Sequence, residues 1–187
     1  MATTADIKIG MCIELNGKTF MIEDFQHVKP GKGPAFVRTR LKSLTNGRIL
    51  EPTLTAGHEI DITKIIRRPY QYLYKEGEDF VFMQQETFEQ ITVPVEHIEN
   101  PDLYLDGQEV EIVLQEETDQ ILTVELPAFV IMEVTYTEPG IKGDTATNAL
   151  KPATVESGAE IRVPLFVNQG DKIKIDTRDR SYVERAK

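Results

Sequence analysis

The chain has 187 residues, 40% of them hydrophobic, with 21 Lys/Arg against 31 Asp/Glu for a net charge of −10, and length alone leaves one large domain or several small ones open. It contains no apolar run of about 18 residues, its start MATTADIKIG lacks the basic-then-apolar pattern of a signal peptide, and its single cysteine, Cys12, excludes an intrachain disulfide. A soluble cytoplasmic protein with no membrane partner is expected, with Cys12 serving as core in the apolar stretch Met11-Cys12-Ile13.

Net charge argues against nucleic acid as a partner, but its distribution does not. Residues 1–65 carry 9 basic and 7 acidic side chains, residues 66–128 carry 3 and 15, and residues 129–187 carry 9 and 9, for net charges of +2, −12 and 0. Phosphate repels an acidic surface, so RNA contacts belong to the two ends with the middle as a spacer. A middle that is acidic only for solubility fits the same numbers.

Strand signals recur along the chain and helix signals are scarce. Residues 9–15 and 18–25 are β-prone runs joined by Asn16-Gly17, a pair suited to a type I′ hairpin. Asn46-Gly47 joins residues 37–44 to 49–54, and Ala56-Gly57 precedes a further run at 58–62. Arg67-Arg68-Pro69 interrupts the pattern, after which 70–74 pairs across Glu76-Gly77 with 80–83. Runs at 88–95, 109–114 and 121–126 follow, with a short turn or single-turn helix around 98–103, and Pro127 offers the next boundary. The last third carries runs at 130–136, 154–155, 161–167, 172–176 and 182–185, separated by turns at Pro139-Gly140, Ser157-Gly158 and Gln169-Gly170. Short, evenly spaced strands predict an all-β chain of three small barrels, residues 1–65, 66–128 and 129–187, the later ones of OB type. Modules this small are marginal alone and lean on their neighbours.

The least ordinary stretch lies between two strands, at residues 27–36, HVKPGKGPAF. Pro30 and Pro34 fix φ on either side, while Gly31 and Gly33 remove side chains next to Lys32. The loop is stiff at its base and bare at its tip, so Lys32 is able to enter a narrow cleft or a modifying enzyme's site. An ordinary hairpin turn with a solvated lysine has the same composition. A phosphate-binding P-loop fails, because Lys32 is followed by Gly33-Pro34 and a strand instead of Ser/Thr and a helix. In that strand Ala35, Val37, Thr39 and Leu41 share one face, and Phe36, Arg38, Arg40 and Lys42 share the other. With Lys29 and Lys32 these make a cationic stripe toward the tip, suited to phosphate, though a basic strand face is also commonly just solvated. His27, His58 and His97 are far apart and none stands at ligand spacing from Cys12, so no metal site and no catalytic residue is nominated.

From end to end the motifs resemble the bacterial elongation factor P family. Lys29-Pro30-Gly31-Lys32-Gly33 with Ala35-Phe36 resembles its modification loop; Tyr72-Leu73-Tyr74, Phe82-Met83 and residues 86–90, ETFEQ, resemble its second domain. Gly143-Asp144-Thr145-Ala146, Lys151-Pro152-Ala153-Thr154, residues 163–167, VPLFV, and Asp176-Thr177-Arg178 resemble its third. Pro34 and Asp179-Arg180 depart from the family, which often has a smaller or more flexible residue at the first position and a glycine at the second.

The resemblance implies an L-shaped, tRNA-like monomer of three β-barrels, the second and third of OB type. It implies a translation factor and not an enzyme, bound to both ribosomal subunits and their rRNA beside P-site peptidyl-tRNA, promoting peptide bonds at consecutive prolines. Lys32 matches the lysine that many bacteria extend by β-lysylation or an aminopentanol group; no cofactor is implied beyond that covalent modification, attached by a lysine-modifying ligase. The modification loop is then Lys29, Pro30, Gly31, Gly33 and Pro34 around Lys32. RNA contacts fall to Lys29, Arg38, Arg40 and Lys42, to Gly143, Asp144 and Thr145 near the E-site codon, and to Tyr182 and Arg185, although Tyr182 also fits as a barrel aromatic. Left open are a divergent paralogue and a plain RNA-binding OB protein; a biotin- or lipoate-carrying domain is disfavoured by the basic residues that flank Lys32.

Overall fold

A computed structural model describes residues 1–140 and 149–187. Among the described residues it is all-β: seventeen strands, no α-helix, and two single 3-10 turns at Val95–His97 and Pro101–Leu103. The strands form three curled sheets. Contacts group the chain into two compact units, one of Met1–Pro69, Val93–Glu99 and Glu111–Glu125, the other of Tyr70–Thr92, Asn100–Val110 and Leu126–Lys187.

The first sheet comprises β1 (Ala2–Thr3), β2 (Cys12–Leu15), β3 (Lys18–Val28), β4 (Phe36–Ser43), β5 (Ile49–Leu50), β6 (Thr53–Thr55) and β7 (Glu59–Ile62). Its order is β1-β7-β2-β3-β4-β5, with β6 also on β4. Asn16 and Gly17 both take positive φ, 53° and 72°, the conformation a type I′ hairpin demands. Ile7, Ile13, Phe20, Ile22, Val37 and Leu41 fill its core. Cys12 is buried with Leu44, Val113 and Leu122, and burial pushes its thiol pKa up, so it packs as a small apolar side chain.

The second sheet comprises β8 (Ile65–Glu76), β9 (Asp79–Gln84), β10 (Gln90–Val93), β11 (Glu109–Gln115) and β12 (Ile121–Glu125), in the order β10-β9-β8-β11-β12. Against the sequence pattern, β8 runs unbroken through Arg67-Arg68-Pro69. Pro69 is tolerated because pairing with β9 begins only at Tyr70, opposite Gln84, so its missing donor falls outside that ladder. β10 starts later than expected because Phe88 takes φ of 60° in the preceding turn. Tyr72, Phe80 and Phe82 surround Tyr104 with ring centroids 5.4 to 6.2 Å from it.

The third sheet, β13 (Phe129–Thr137), β14 (Leu150–Val155), β15 (Glu160–Pro164), β16 (Lys172–Asp176) and β17 (Ser181–Arg185), has the order β15-β14-β13-β16-β17. Its core takes in Leu103, fully buried among Val130, Met132, Ile161, Ile173 and Ile175, so truncation of Leu103 to Ala would remove about 2 to 5 kcal/mol. The turn bearing Leu103 is tied to the β16–β17 hairpin by polar contacts. Asn100, at φ 51°, donates from Nδ2 to the Thr177 carbonyl at 2.9 Å, and Arg180 donates to both Asp102 oxygens at 2.8 and 2.5 Å. Arg180 itself sits at φ 60°, a conformation glycine adopts freely and an L side chain adopts at a cost of about 1 kcal/mol. The bidentate pair offsets that strain.

The hydrogen bond from Arg180 holds the Asp102 carboxyl below its ordinary pKa. A depressed folded-state pKa contributes stability above the unfolded value of about 3.9 and loses it as pH falls through the folded value. Both side chains are more than a third exposed, so Asp102→Asn is expected to lower stability at pH 7 by only about 0.5 to 1 kcal/mol. Urea titrations should show that gap closing as pH falls below about 3.9; a gap independent of pH would mean that packing, not charge, holds the turn.

Candidate nucleic-acid interface

β3 and β4 form a long hairpin whose register runs from Phe20 opposite Ser43 to Val28 opposite Phe36, leaving residues 29–35 as the loop. β6 pins the other side of the loop base: Phe36 pairs with Thr55, and the Ala56 amide donates to the Ala35 carbonyl at 3.0 Å. Beyond that base the tip is free. Gly31, Lys32, Gly33 and Pro34 are exposed, as is Lys29, while Pro30 is half-buried. Gly33 takes φ of 106°, and a Cβ on Gly31 would meet nothing within 4 Å. Among the described residues, neither Lys29 nor Lys32 makes an ion pair or side-chain hydrogen bond.

Along β4 the alternation is the expected one. Val37, Thr39, Leu41 and Ser43 are buried; Arg38 and Arg40 are exposed, with Phe36 and Lys42 between. The outward cations differ in their partners. Arg40 donates to Glu23 at 3.2 Å, and Lys42 pairs with Glu99 at 2.6 Å. Arg38 has no carboxylate partner among the described residues and lies over the Phe36 ring, 5.7 Å from its centroid. Among the described residues the cations here without a carboxylate partner are therefore Lys29, Lys32 and Arg38, whereas Arg40 and Lys42 are paired.

On the third sheet, Tyr182 packs against the barrel core and meets Phe166 edge-on at 6.5 Å. Arg185 lies over the Phe166 ring at 5.6 Å and 3.6 Å from Asp171. Gly143, Asp144 and Thr145 lie outside the described residues. Among the described residues no helix is long and apolar enough to cross a membrane, and no group of three or more His, Cys, Asp or Glu is placed to hold a metal ion.

Three family models match in succession: the elongation factor P KOW-like domain over residues 3–60, its OB domain over 65–122, and its C-terminal domain over 130–185. The chain is also 56% identical to an elongation factor P of Flavobacterium psychrophilum and 55% identical to elongation factor P 1 of Porphyromonas gingivalis, in each case over 100% of both chains. The chain belongs to the elongation factor P family. As a member it is a translation elongation factor. Among solved structures, an initiation factor 5A from Methanococcus jannaschii shares the fold with a TM-score of 0.51 at 24% identity, covering 66% of this chain and 92% of that one.

The two glycines flanking Lys32 are not equivalent. An L side chain at the φ of Gly33 is strained by about 1 kcal/mol, whereas Gly31 has ordinary φ and open space. Gly33→Ala is expected to reshape the tip and shift the Lys32 and Pro34 resonances, while Gly31→Ala leaves them in place. Melting temperatures should barely move in either, because the tip is exposed. Equal spectral changes in the two variants would remove the distinction.

Proposed function

We propose that this elongation factor acts in the cytoplasm as a monomer, binding both ribosomal subunits beside P-site peptidyl-tRNA and promoting peptide bonds between consecutive prolines. Lys32, unmodified or extended by a lysine-modifying ligase, would reach toward the peptidyl-transferase centre. The observation that carries this reading is Lys32 itself, without an ion pair among the described residues, on a tip where glycines flank it and a strand anchors each side of the base, in a chain of this family. In this reading the chain works as three modules, residues 1–65, 66–128 and 129–187, with RNA contacts at the two ends.

The chemistry asked of Lys32 is modest. Proline's ring restricts its approach as donor and acceptor, so holding the peptidyl end in a reactive pose replaces entropy the substrates otherwise lose. Each tenfold in rate requires about 1.4 kcal/mol, within the reach of one or two charge-assisted contacts in a water-poor site. Lys32 positions and does not catalyse. Lys29 and Arg38 would supply the first domain's phosphate contacts, because no local carboxylate competes for them, and Tyr182, Arg185 and residues 143–145 those of the third.

Lys32→Ala is expected to keep fold and ribosome binding but to slow synthesis across a proline run by roughly ten- to a hundredfold, equivalent to about 1 to 3 kcal/mol. Lys32→Arg should recover only part, since it keeps charge but cannot accept a lysine-directed group. Translation-rate assays on proline-run and proline-free messages check this, and undiminished rescue by the Ala variant would leave a plain RNA-binding protein.

Charge reversals test the interface separately. Arg38→Glu should weaken ribosome binding about tenfold and flatten its salt dependence by about one phosphate contact. Arg40→Glu should do less, since Glu23 already occupies Arg40, and Glu116→Lys or Glu117→Lys should change little. Sedimentation with ribosomes across a salt series gives the ranking, and a larger effect at Arg40 than at Arg38 would contradict it.

A further inference from the structure

Beside β13 lies an open groove of about 420 Å³, lined by residues 105–109 on one side and by Pro127 and residues 129–131 on the other. Its apolar wall is unusually bare: Phe129 is 43% and Ile131 57% exposed, next to Leu105 and Pro127. Singly exposed apolar side chains need no explanation, but here Phe129 and Ile131 share one concave surface. The opposite wall carries Asp106 and Glu109, which form no ion pair among the described residues.

Two cations border the groove, and both are occupied. Lys174 lies 4.8 Å from the Phe129 centroid and 3.3 Å from a Glu184 oxygen. Arg178 lies 5.7 Å from the same centroid and holds Asp176 through bonds of 2.9 and 2.5 Å. That contact draws the Asp176 pKa down to about 2, so this local charge is balanced at neutral pH. Sites for single-stranded nucleic acid on OB-type sheets pair exposed aromatics with free cations. Here, among the described residues, the aromatic is present, the two cations beside it are paired, and the groups without an ion pair are the carboxylates Asp106 and Glu109.

We propose that this groove is a docking site for a basic protein segment, one whose aliphatic side chains cover Phe129 and Ile131 while a lysine or arginine meets Asp106 and Glu109. Charge complementarity selects the occupant: phosphate would face uncompensated carboxylates, whereas a cationic peptide gains both the apolar wall and the acidic rim. The inference rests on the ribosome-binding reading, since the segment is taken to belong to a ribosomal protein.

The test places the photo-crosslinking residue p-benzoylphenylalanine at the exposed position 131 of the full chain and irradiates it bound to ribosomes. The crosslink is expected on a ribosomal protein, at a Lys/Arg-bearing peptide, and the charge reversals Asp106→Lys with Glu109→Lys should lower its yield about tenfold. The neutral pair Asp106→Asn with Glu109→Gln, which leaves shape intact, should lower it less. A crosslink to rRNA, no crosslink, or a yield indifferent to both pairs overturns the groove proposal. Sedimentation of the unmodified chain separates the two readings. If it binds ribosomes and the crosslink still misses protein, only the groove proposal falls; if it does not bind, both do.

Discussion

The β3–β4 ladder is the constraint on which the remaining features depend. A strand's side chains alternate faces, so one register decides at once which residues of β4 are core and which face out. Pairing Val28 with Phe36 sends Val37, Thr39 and Leu41 inward and leaves Arg38 and Arg40 outside. The same pairing ends the ladder at residues 29–35, which fixes where the loop begins. A slip of one residue would bury the arginines and expose the core, an error of many kcal/mol. The position of the loop that carries Lys32 is thus enforced by burial along β3 and β4.

That separation of duties explains the tip's composition. A lysine held by neighbours would pay to release them before meeting another molecule, and a tip with bulk would not enter a confined site. Glycine on both sides removes the bulk, and the prolines restore the stiffness that glycine forfeits. Rigidity is supplied by β3 on one side of the base and β6 on the other.

Much of this was legible in the sequence, and what was not has physical reasons. The Asn16-Gly17 hairpin, the alternation in β4 and the all-β class follow from local chemistry, because positive φ and a period of two leave marks on short stretches. The continuity of β8 through Pro69 was hidden, since whether a proline breaks a strand depends on which neighbour needs its donor. The neutralisation of the cationic stripe was partly readable. Extending the hairpin register from the loop brings Arg40 opposite Asp24, next to its partner Glu23, but the Lys42–Glu99 pair joins residues far apart in sequence, and nothing local announces it. The groove beside β13 was equally silent, since its two walls come from separate stretches and its charges matter only through who pairs with whom.

Pairing also alters what net charge means in this chain. Of the carboxylates in residues 66–128, several are spent locally: Glu99 on Lys42, Asp102 on Arg180, Asp119 on Arg68 and Glu125 on Arg67. Such exposed pairs add little stability, typically 0 to about 1 kcal/mol each. Their larger effect is on the surface field, because each cancels a cation that would otherwise attract phosphate and a carboxylate that would repel it. What a partner meets is the remainder. At the loop and the adjoining end of β4 the uncancelled groups among the described residues are Lys29, Lys32 and Arg38; in the groove beside β13 they are Asp106 and Glu109. A formal charge of −10 therefore describes neither surface, because the ion pairs leave different charges uncancelled in different places.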